Sequence, residues 1–525
     1  MNKKLLTLLP ILLISSQLVV SCGNDSIKYK DSKVTIEINN GNENGKIYSP
    51  KDVEIIETRH SIENKLFYNT RVLPSIGNIN ILVIPILLPG YDVIDIDGDG
   101  ENDLSKVRSD LQSAFFGKEG DESLGFDSVA TYYKKSSYGK LNISGTVANW
   151  YNLAISGLNY TDATQIDFYQ TYDVVEKAVE WAKTNASINI SDYDNDKDGY
   201  IDGVWCIYSS PNYQNGGPYT DYNNYWAYTS WGNQTPENGG QKPNISNPIY
   251  NLFGWASYDF MYLEYEDKLD THTYIHETGH FLGLNDYYSD TPTYSPIGKH
   301  DMMDANVGDH NSYSKMLLGW TKPYLVTGNG TIDLYSMENE NNFIVIPDDS
   351  YDGNGEFDPF SEYMLIELYT NDNLNYLDSV KGINNIPLSS TNPGVRIYHV
   401  DNRKFIVDFE STYNVTSKIY EGEKIDDTHR LILPISNSRN LDTYNSSLNL
   451  DPSVNIYDEI RLIEATNEDT FSFGGYQKDK TYFNNNVFSL ETYGNNFFVN
   501  RNKFNNGNLF SYEITIKEVQ LNNEK

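Results

Sequence analysis

Apolar and polar positions alternate with different periods along this chain, and the periods predict its elements. The run INILVIPILL at 79–88 is apolar almost throughout and predicts a buried strand. In DLSKVRSDLQSAFFG the apolar residues Leu104, Val107, Leu111 and Phe115 recur at helical spacing. A second helix is predicted over DVVEKAVEWAKTN, 173–185, and a strand over GVWCIY, 203–208. The Gly/Asn/Pro/Tyr-rich stretch from about 209 to 252 is too long for a plain connection and reads as a functional loop. FGWASYDFMYLEY, 253–265, has alternating character and is expected as an edge strand. From about residue 325 the pattern changes to short strands separated by Asn/Asp/Gly turns, such as FIVIP, EYMLIELY and GVRIYHV, so the rest of the chain is expected to be all-β. No repeat of solenoid type is visible. The Asn-rich patches near 443–450 and 483–508 read as loops.

Composition narrows the class. At 525 residues, with 39% hydrophobic and 21% charged residues, the chain fits a folded protein of two or three domains. With 73 acidic against 39 basic residues, the formal charge of -34 repels nucleic acid and suits divalent cations. Two cysteines, Cys22 and Cys206, make no disulfide framework. Cys206 lies in an apolar run and is expected to be a small buried side chain. Cys22 ends the segment MNKKLLTLLPILLISSQLVVSC, in which Lys3 and Lys4 precede an apolar stretch. This segment resembles the lipobox of bacterial lipoproteins, which implies cleavage after residue 21 and acylation of Cys22. An ordinary cleaved signal peptide and an uncleaved anchor are the alternatives. No other stretch of about 18 apolar residues appears, so the expected location is a cell surface or periplasmic face, tethered by lipid and in part shed.

The chemistry concentrates in HETGHFLGLND, 276–286. Residues i and i+4 of a helix share one face, so His276 and His280 can reach one ion. Imidazole nitrogens bind zinc, and a catalytic site needs a third protein ligand and a water. Glu277 lies beside the first histidine instead of in line with it, which suits a general base acting on the water. Gly283 lets the chain leave the helix with positive φ, and Asp286 follows three residues later, able to turn back to the ion. A different class of HExxH enzyme draws its third ligand from a glutamate on a second helix. Here the first glutamate after His280 is Glu338, well past the helical region, which favours Asp286. Asp270 or Thr271 can cap the helix, and Gly279 permits close packing behind the ligands.

HETGHFLGLND matches the HExxHxxGxxD signature of metzincin-type zinc peptidases that use aspartate as third ligand. More narrowly it resembles the M6 family, the immune inhibitor A-like bacterial proteases. FFG at 115–117, SYGKLNISG at 137–145 and LGW at 318–320 are also similar to that family, and the resemblance runs over roughly 79–400, with EYMLIE and GVRIYHVD as its weaker tail. It implies a methionine turn beneath the metal, for which Met303 in HDMMDAN is the first choice and Met302 the alternative. It implies hydrolysis of peptide bonds in protein or peptide substrates, with zinc polarising the scissile carbonyl and Glu277 moving the proton from water to the leaving amine. His310 and Tyr313 are candidate oxyanion donors, each weighed against a packing or loop role. His272, His300 and His399 read as packing residues on the same argument.

Two acidic loops complete the inventory. DYDNDKDGYID, 192–202, places Asp194, Asp196, Asp198, Gly199 and Asp202 in a calcium-loop pattern, but Trp205 stands where an EF-hand has its bidentate glutamate. DIDGDGENDLSK, 95–106, repeats it with Asp95, Asp97, Asp99 and Asp103. The M6 family is similar in having such a DxDxDG stretch.

The expected architecture is therefore α+β: a signal peptide (1–21), a tether or short pro-segment (22–65), a metzincin-like zincin catalytic domain (66–325) and a β-rich C-terminal region (326–525). The expected protein is a monomeric zinc endopeptidase with structural calcium and no nucleic-acid partner. The alternative from another class is a surface-anchored binding or adhesin lipoprotein with a structural metal site.

Overall fold

In the computed structural model the described residues are 32–41, 45–53, 72–185, 187–220, 224–232, 242–262, 268–289, 294–338, 342–351, 358–380, 389–411, 414–420, 430–434, 436–437, 457–473, 482–498 and 501–522. Cys22, the segment before it and the Asn-rich patch at 443–450 lie outside them.

The described chain begins with β1 (Lys33–Asn39). The apolar run becomes β2 (Gly77–Leu87), followed by α1 (Leu104–Phe116), α2 (Val129–Ser136) and β3 (Leu141–Val147). Next come α3 (Phe168–Lys183), β4 (Val204–Tyr208), β5 (Tyr228–Trp231) and β6 (Leu252–Ser257). These strands form one sheet in the order β3-β2-β4-β6-β5. The first three pairings are parallel, and β5 joins antiparallel at the end.

Helices cover both faces, which explains why β2 and β4 are apolar at every position that faces them. Ile79, Ile81, Val83, Trp205 and Ile207 pack with α1 and α2 in one core cluster. Leu82, Ile84, Ile86, Val204, Cys206 and Tyr208 pack with α3 in another. Cys206 is fully buried, as its apolar run predicts, and burial pushes its thiol pKa up.

One expectation is corrected here. The segment after 252 does not form the edge: β6 is interior, and a 3-10 turn at Tyr258–Tyr262 follows it. The edge strand is β5, which arises inside the stretch read as a long loop. Its four residues are too few, and its neighbours too polar, for a period to show in the sequence.

The active helix, α4 (His272–Phe281), crosses beneath this sheet, with Trp205 stacked on Phe281 at 5.2 Å between ring centroids. Two short helices, α5 (Met302–Ala305) and α6 (Ser312–Leu317), follow α4 along the chain. Beyond them lie β7 (Gly330–Tyr335), β8 (Ile344–Pro347), β9 (Glu362–Tyr369), β10 (Gly394–Asp401), β11 (Ile460–Leu462), β12 (Asn486–Ser489) and β13 (Glu513–Ile516). The region is β-rich, and β9 and β10 run antiparallel through eight paired positions. Tyr363, Leu365, Tyr398 and Val400 share a core with Met303, Tyr313 and Trp320, so the second region packs directly against α5 and α6.

β1 is paired on both sides, antiparallel to β7 and to β13. Residues 33–39, within the stretch read as tether or pro-segment, are thus built into the C-terminal region. Val34, Ile36 and Ile38 alternate as buried residues there, a period-2 pattern within a Lys/Asn/Glu-rich surround.

Candidate metal centre and active site

The helix that carries the two histidines is fixed at both ends. At its start Asp270 Oδ1 accepts the backbone N–H of His272 at 3.0 Å, while the Thr271 hydroxyl donates to the Asp127 carbonyl at 2.6 Å instead of capping. At its end Gly283 takes φ +94°, a left-handed conformation that favours glycine. The N–H of Leu284 then donates back to the Gly279 carbonyl at 3.1 Å. This reversal returns the chain towards the histidines.

Asp286 Oδ1 lies 2.9 Å from His276 Nε2 and 3.2 Å from His280 Nε2. His276, Glu277 and His280 themselves offer ligand atoms within 4.8 Å of one another. The second nitrogen of each ring is held by a backbone carbonyl: His276 Nδ1 by Met302 at 2.7 Å, and His280 Nδ1 by Leu284 at 2.8 Å. Those carbonyls can only accept, so each Nδ1 carries a proton and each Nε2 is left to bind, the tautomer a metal requires.

The electrostatics agree. Burial would lower the pKa of His280, but the Asp286 carboxylate outweighs it and raises the pKa to about 10. His276 is raised too, burial again being overcome, here first by its hydrogen bond to Asp286. Asp286 is held well below the usual carboxylate range, because the two histidines outweigh its burial. Burial raises Glu277, opposed by both histidines. A divalent cation among the three facing atoms would take the place of the protons these shifts describe, so the donor set fits one.

Gly279 is where the support beneath the histidines meets the helix. A Cβ there would lie 2.4 Å from Met303 Sδ, so the thioether occupies the space that a side chain would need. Of the two methionines, Met303 therefore packs its side chain under the helix, and Met302 contributes its carbonyl. The N–H of Tyr287 donates to the Met303 carbonyl at 2.7 Å, tying the Asp286 loop to the same segment.

The two oxyanion candidates are both buried. His310 is fully buried, boxed by Tyr132, Tyr133 and Trp320 with ring centroids 5.6–6.1 Å away. The Tyr313 hydroxyl is bonded to Asn402 Oδ1 at 2.6 Å and Glu459 Oε1 at 2.8 Å, inside the shared core. Proximity in sequence to the motif put both on the candidate roster; in the fold both are committed to these packing and hydrogen-bonding contacts. His272 and His399 are also committed to carboxylates, Asp270 at 2.6 Å and Glu362 at 2.8 Å. His300 is buried against Phe471 and Tyr482.

Sequence reasoning missed Thr229. Its hydroxyl lies 3.1 Å from Glu277 Oε2 and 3.0 Å from the Glu277 carbonyl oxygen. No motif marks it, since it comes from β5, whose position is set by pairing to β6.

The two acidic loops have one architecture. Asp194, Asp196 and Asp198 cluster within 4.8 Å, as do Asp95, Asp97 and Asp99. Asp194 Oδ2 accepts from Gly199 N and Asp95 Oδ2 from Gly100 N, each at 3.0 Å. Asp202 and Asp103 stand outside these clusters; they close the loops by accepting the N–H groups of Asn195 at 2.6 Å and Ile96 at 2.8 Å. Burial raises the Asp202 pKa to about 7, against the pull of its bonds from Asn195. Lys197, at φ 62°, takes the left-handed position that Gly98 fills in the other loop.

Comparison with known proteins finds one family. Residues 101–310 match the family model for the immune inhibitor A peptidase M6 catalytic domain. That stretch contains α4, Asp286, Met303 and the acidic loop at 192–202, but only the end of the loop at 95–106; it stops short of the EYMLIE and GVRIYHVD segments. No curated protein matches the chain.

Proposed function

From the premise that residues 101–310 are a peptidase M6 catalytic domain, we propose that this protein is a zinc-dependent endopeptidase held outside the cytoplasm by lipid on Cys22. The observation that supports it most is the convergence of His276 Nε2, His280 Nε2 and Asp286 Oδ1, with the two Nδ1 atoms already committed to backbone carbonyls. His276, His280 and Asp286 would hold the ion, and Met303 would support the helix from below. Zinc in that position supplies Lewis acidity and eases deprotonation of water.

The chain's own residues do the rest. Glu277 is the base: it takes the proton from the attacking water and delivers it to the amine that leaves. Burial raises the pKa of Glu277, which makes its carboxylate a stronger base. An extended peptide would lie along β5, whose outer side has no partner strand among the described residues. Calcium in the loops at 194–202 and 95–103 would neutralise their carboxylates and stiffen the sheet ends they adjoin. The substrates are proteins or peptides, and the protein acts as a monomer.

Metal analysis of the folded protein, paired with casein hydrolysis, tests this reading. The expected result is about one zinc per chain, with zinc and activity lost together on chelation, and Glu277→Ala inactive with its zinc retained. A folded protein without zinc or activity, or a Glu277→Ala variant as active as wild type, overturns it in favour of a binding or adhesin lipoprotein. Loss of acyl labelling in Cys22→Ala tests the anchor.

A further inference from the structure

We propose that Thr229 is a positioning residue that sets the orientation of the Glu277 carboxylate. This rests on the peptidase reading above and adds a residue from a different element of the fold.

The geometry is a three-way contact. Thr229 Oγ1 stands 3.1 Å from the Glu277 carboxylate and 3.0 Å from the carbonyl of the same residue. A threonine hydroxyl has one proton and two acceptor positions. Thr229 donates its proton to Oε2, which leaves Oε1 to take the proton of the attacking water and pass it to the leaving amine. Thr229 stays the donor throughout, since Oε2 accepts whether or not Oε1 carries the proton. The bond holds the carboxyl plane in one orientation, and without it the carboxyl would swing out of line.

The location adds a second role. Thr229 lies on β5, the edge strand, and pairs with Gly254 of β6. The hydroxyl therefore ties the base to the strand along which a peptide would lie, fixing the distance between the scissile bond and the carboxylate. Tyr228 and Ser230, its neighbours in the strand, face the other way: Tyr228 bonds Asn224 at 2.8 Å, and Ser230 bonds Tyr172 at 3.0 Å on the α3 side. Those bonds hold β5 in register without help from Thr229, so its hydroxyl is spare for the base.

The test uses the full chain loaded with zinc and compares wild type, Thr229→Val, Thr229→Ser and Glu277→Ala on a quenched fluorescent peptide. Thr229→Val keeps shape and β propensity but removes the hydroxyl. Its kcat is expected to fall about tenfold or more, from the usual worth of a hydrogen bond to a charged group, with KM within about twofold. Zinc content and melting temperature should stay at wild-type values, and Thr229→Ser should recover most of the rate. Wild-type kcat in Thr229→Val overturns the proposal, as does a Thr229→Ser variant as slow as Thr229→Val, which would assign the effect to the methyl group. A fall accompanied by zinc loss or a large rise in KM overturns it too, since β5 would then be merely structural. Activity remaining in Glu277→Ala defeats the peptidase reading itself, an outcome separate from the other three.

Discussion

His272 offers the sharpest test of how the active helix is anchored. It is the first residue of α4, one turn before His276, and it is buried. Its Nδ1 lies 2.6 Å from Asp270 and its Nε2 3.4 Å from Asp378 on the segment Tyr376–Val380 of the C-terminal region, while the ring stacks on Phe126 at 4.2 Å. Burial would lower its pKa, but the two carboxylates outweigh burial and raise it from 6.5 to about 10. A histidine raised in the folded state stabilises fully below its unfolded pKa, and that stability is lost as pH rises through the folded value. With these two values the contribution is about 5 kcal/mol below pH 6, about 3 at pH 8 and under about 1 by pH 9.5. Removing one member of a buried ion pair costs about 3–5 kcal/mol by a separate route, so the two magnitudes agree.

The perturbation is His272→Gln, which cannot titrate. Urea unfolding of the zinc- and calcium-loaded chain, followed by tryptophan fluorescence from pH 6 to 9.5, should show a large deficit at pH 6 that closes as pH rises. Zinc affinity should fall in step, because the turn bearing His276 is no longer pinned. Parallel wild-type and variant curves across this range would refute the reasoning, since the stabilisation would then owe nothing to the charge on His272.

Three other outcomes are expected. Gly279→Ala should gain about 1 kcal/mol of helix propensity but lose about 1–3 to the collision with Met303; calorimetry and zinc titration should show no net stabilisation and weaker zinc binding, and a raised melting temperature would contradict the close packing. Lys315→Met should cost about 3–5 kcal/mol, because Lys315 and Asp309 are both buried and ion-paired; adding Asp309→Asn should restore most of the melting temperature, and no restoration would mean the lysine acts through packing alone. Calcium at about 100 times its Kd should stabilise wild type by roughly 2.7 kcal/mol, measured as a shift in the melting curve that EGTA reverses; Asp194→Asn should reduce the shift, and an equal response in wild type and variant would exclude the 194–202 loop.

What the sequence determined by itself was local. The i, i+4 spacing of His276 and His280 needs only helical geometry, and Gly283 with Asp286 needs only a reversal a few residues long. The aspartate clusters are local as well: the bonds their carboxylates accept within the loops come from residues no more than seven positions away, while Asn195 ties the 192–202 loop to Asn80 across 115 positions. β2 and β4 were legible because both of their faces are buried, which makes them apolar whatever they pair with.

Only the tertiary structure decided the rest. β5 is only four residues long, with Thr229 and Ser230 at its centre, and it becomes the edge by pairing with β6 some twenty residues on. Thr229 reaches Glu277 across 48 positions. β1 looks like a tether until β7 and β13, drawn from the far end of the chain, supply both of its edges. His310 and Tyr313 lie close to the motif in sequence, yet Tyr313 is drawn into a core shared with the C-terminal sheet, and His310 is boxed by Tyr132, Tyr133 and Trp320. Short-range periodicity reports which face of an element is apolar. Which element lies opposite depends on burial summed over distant segments, and no local period carries that information.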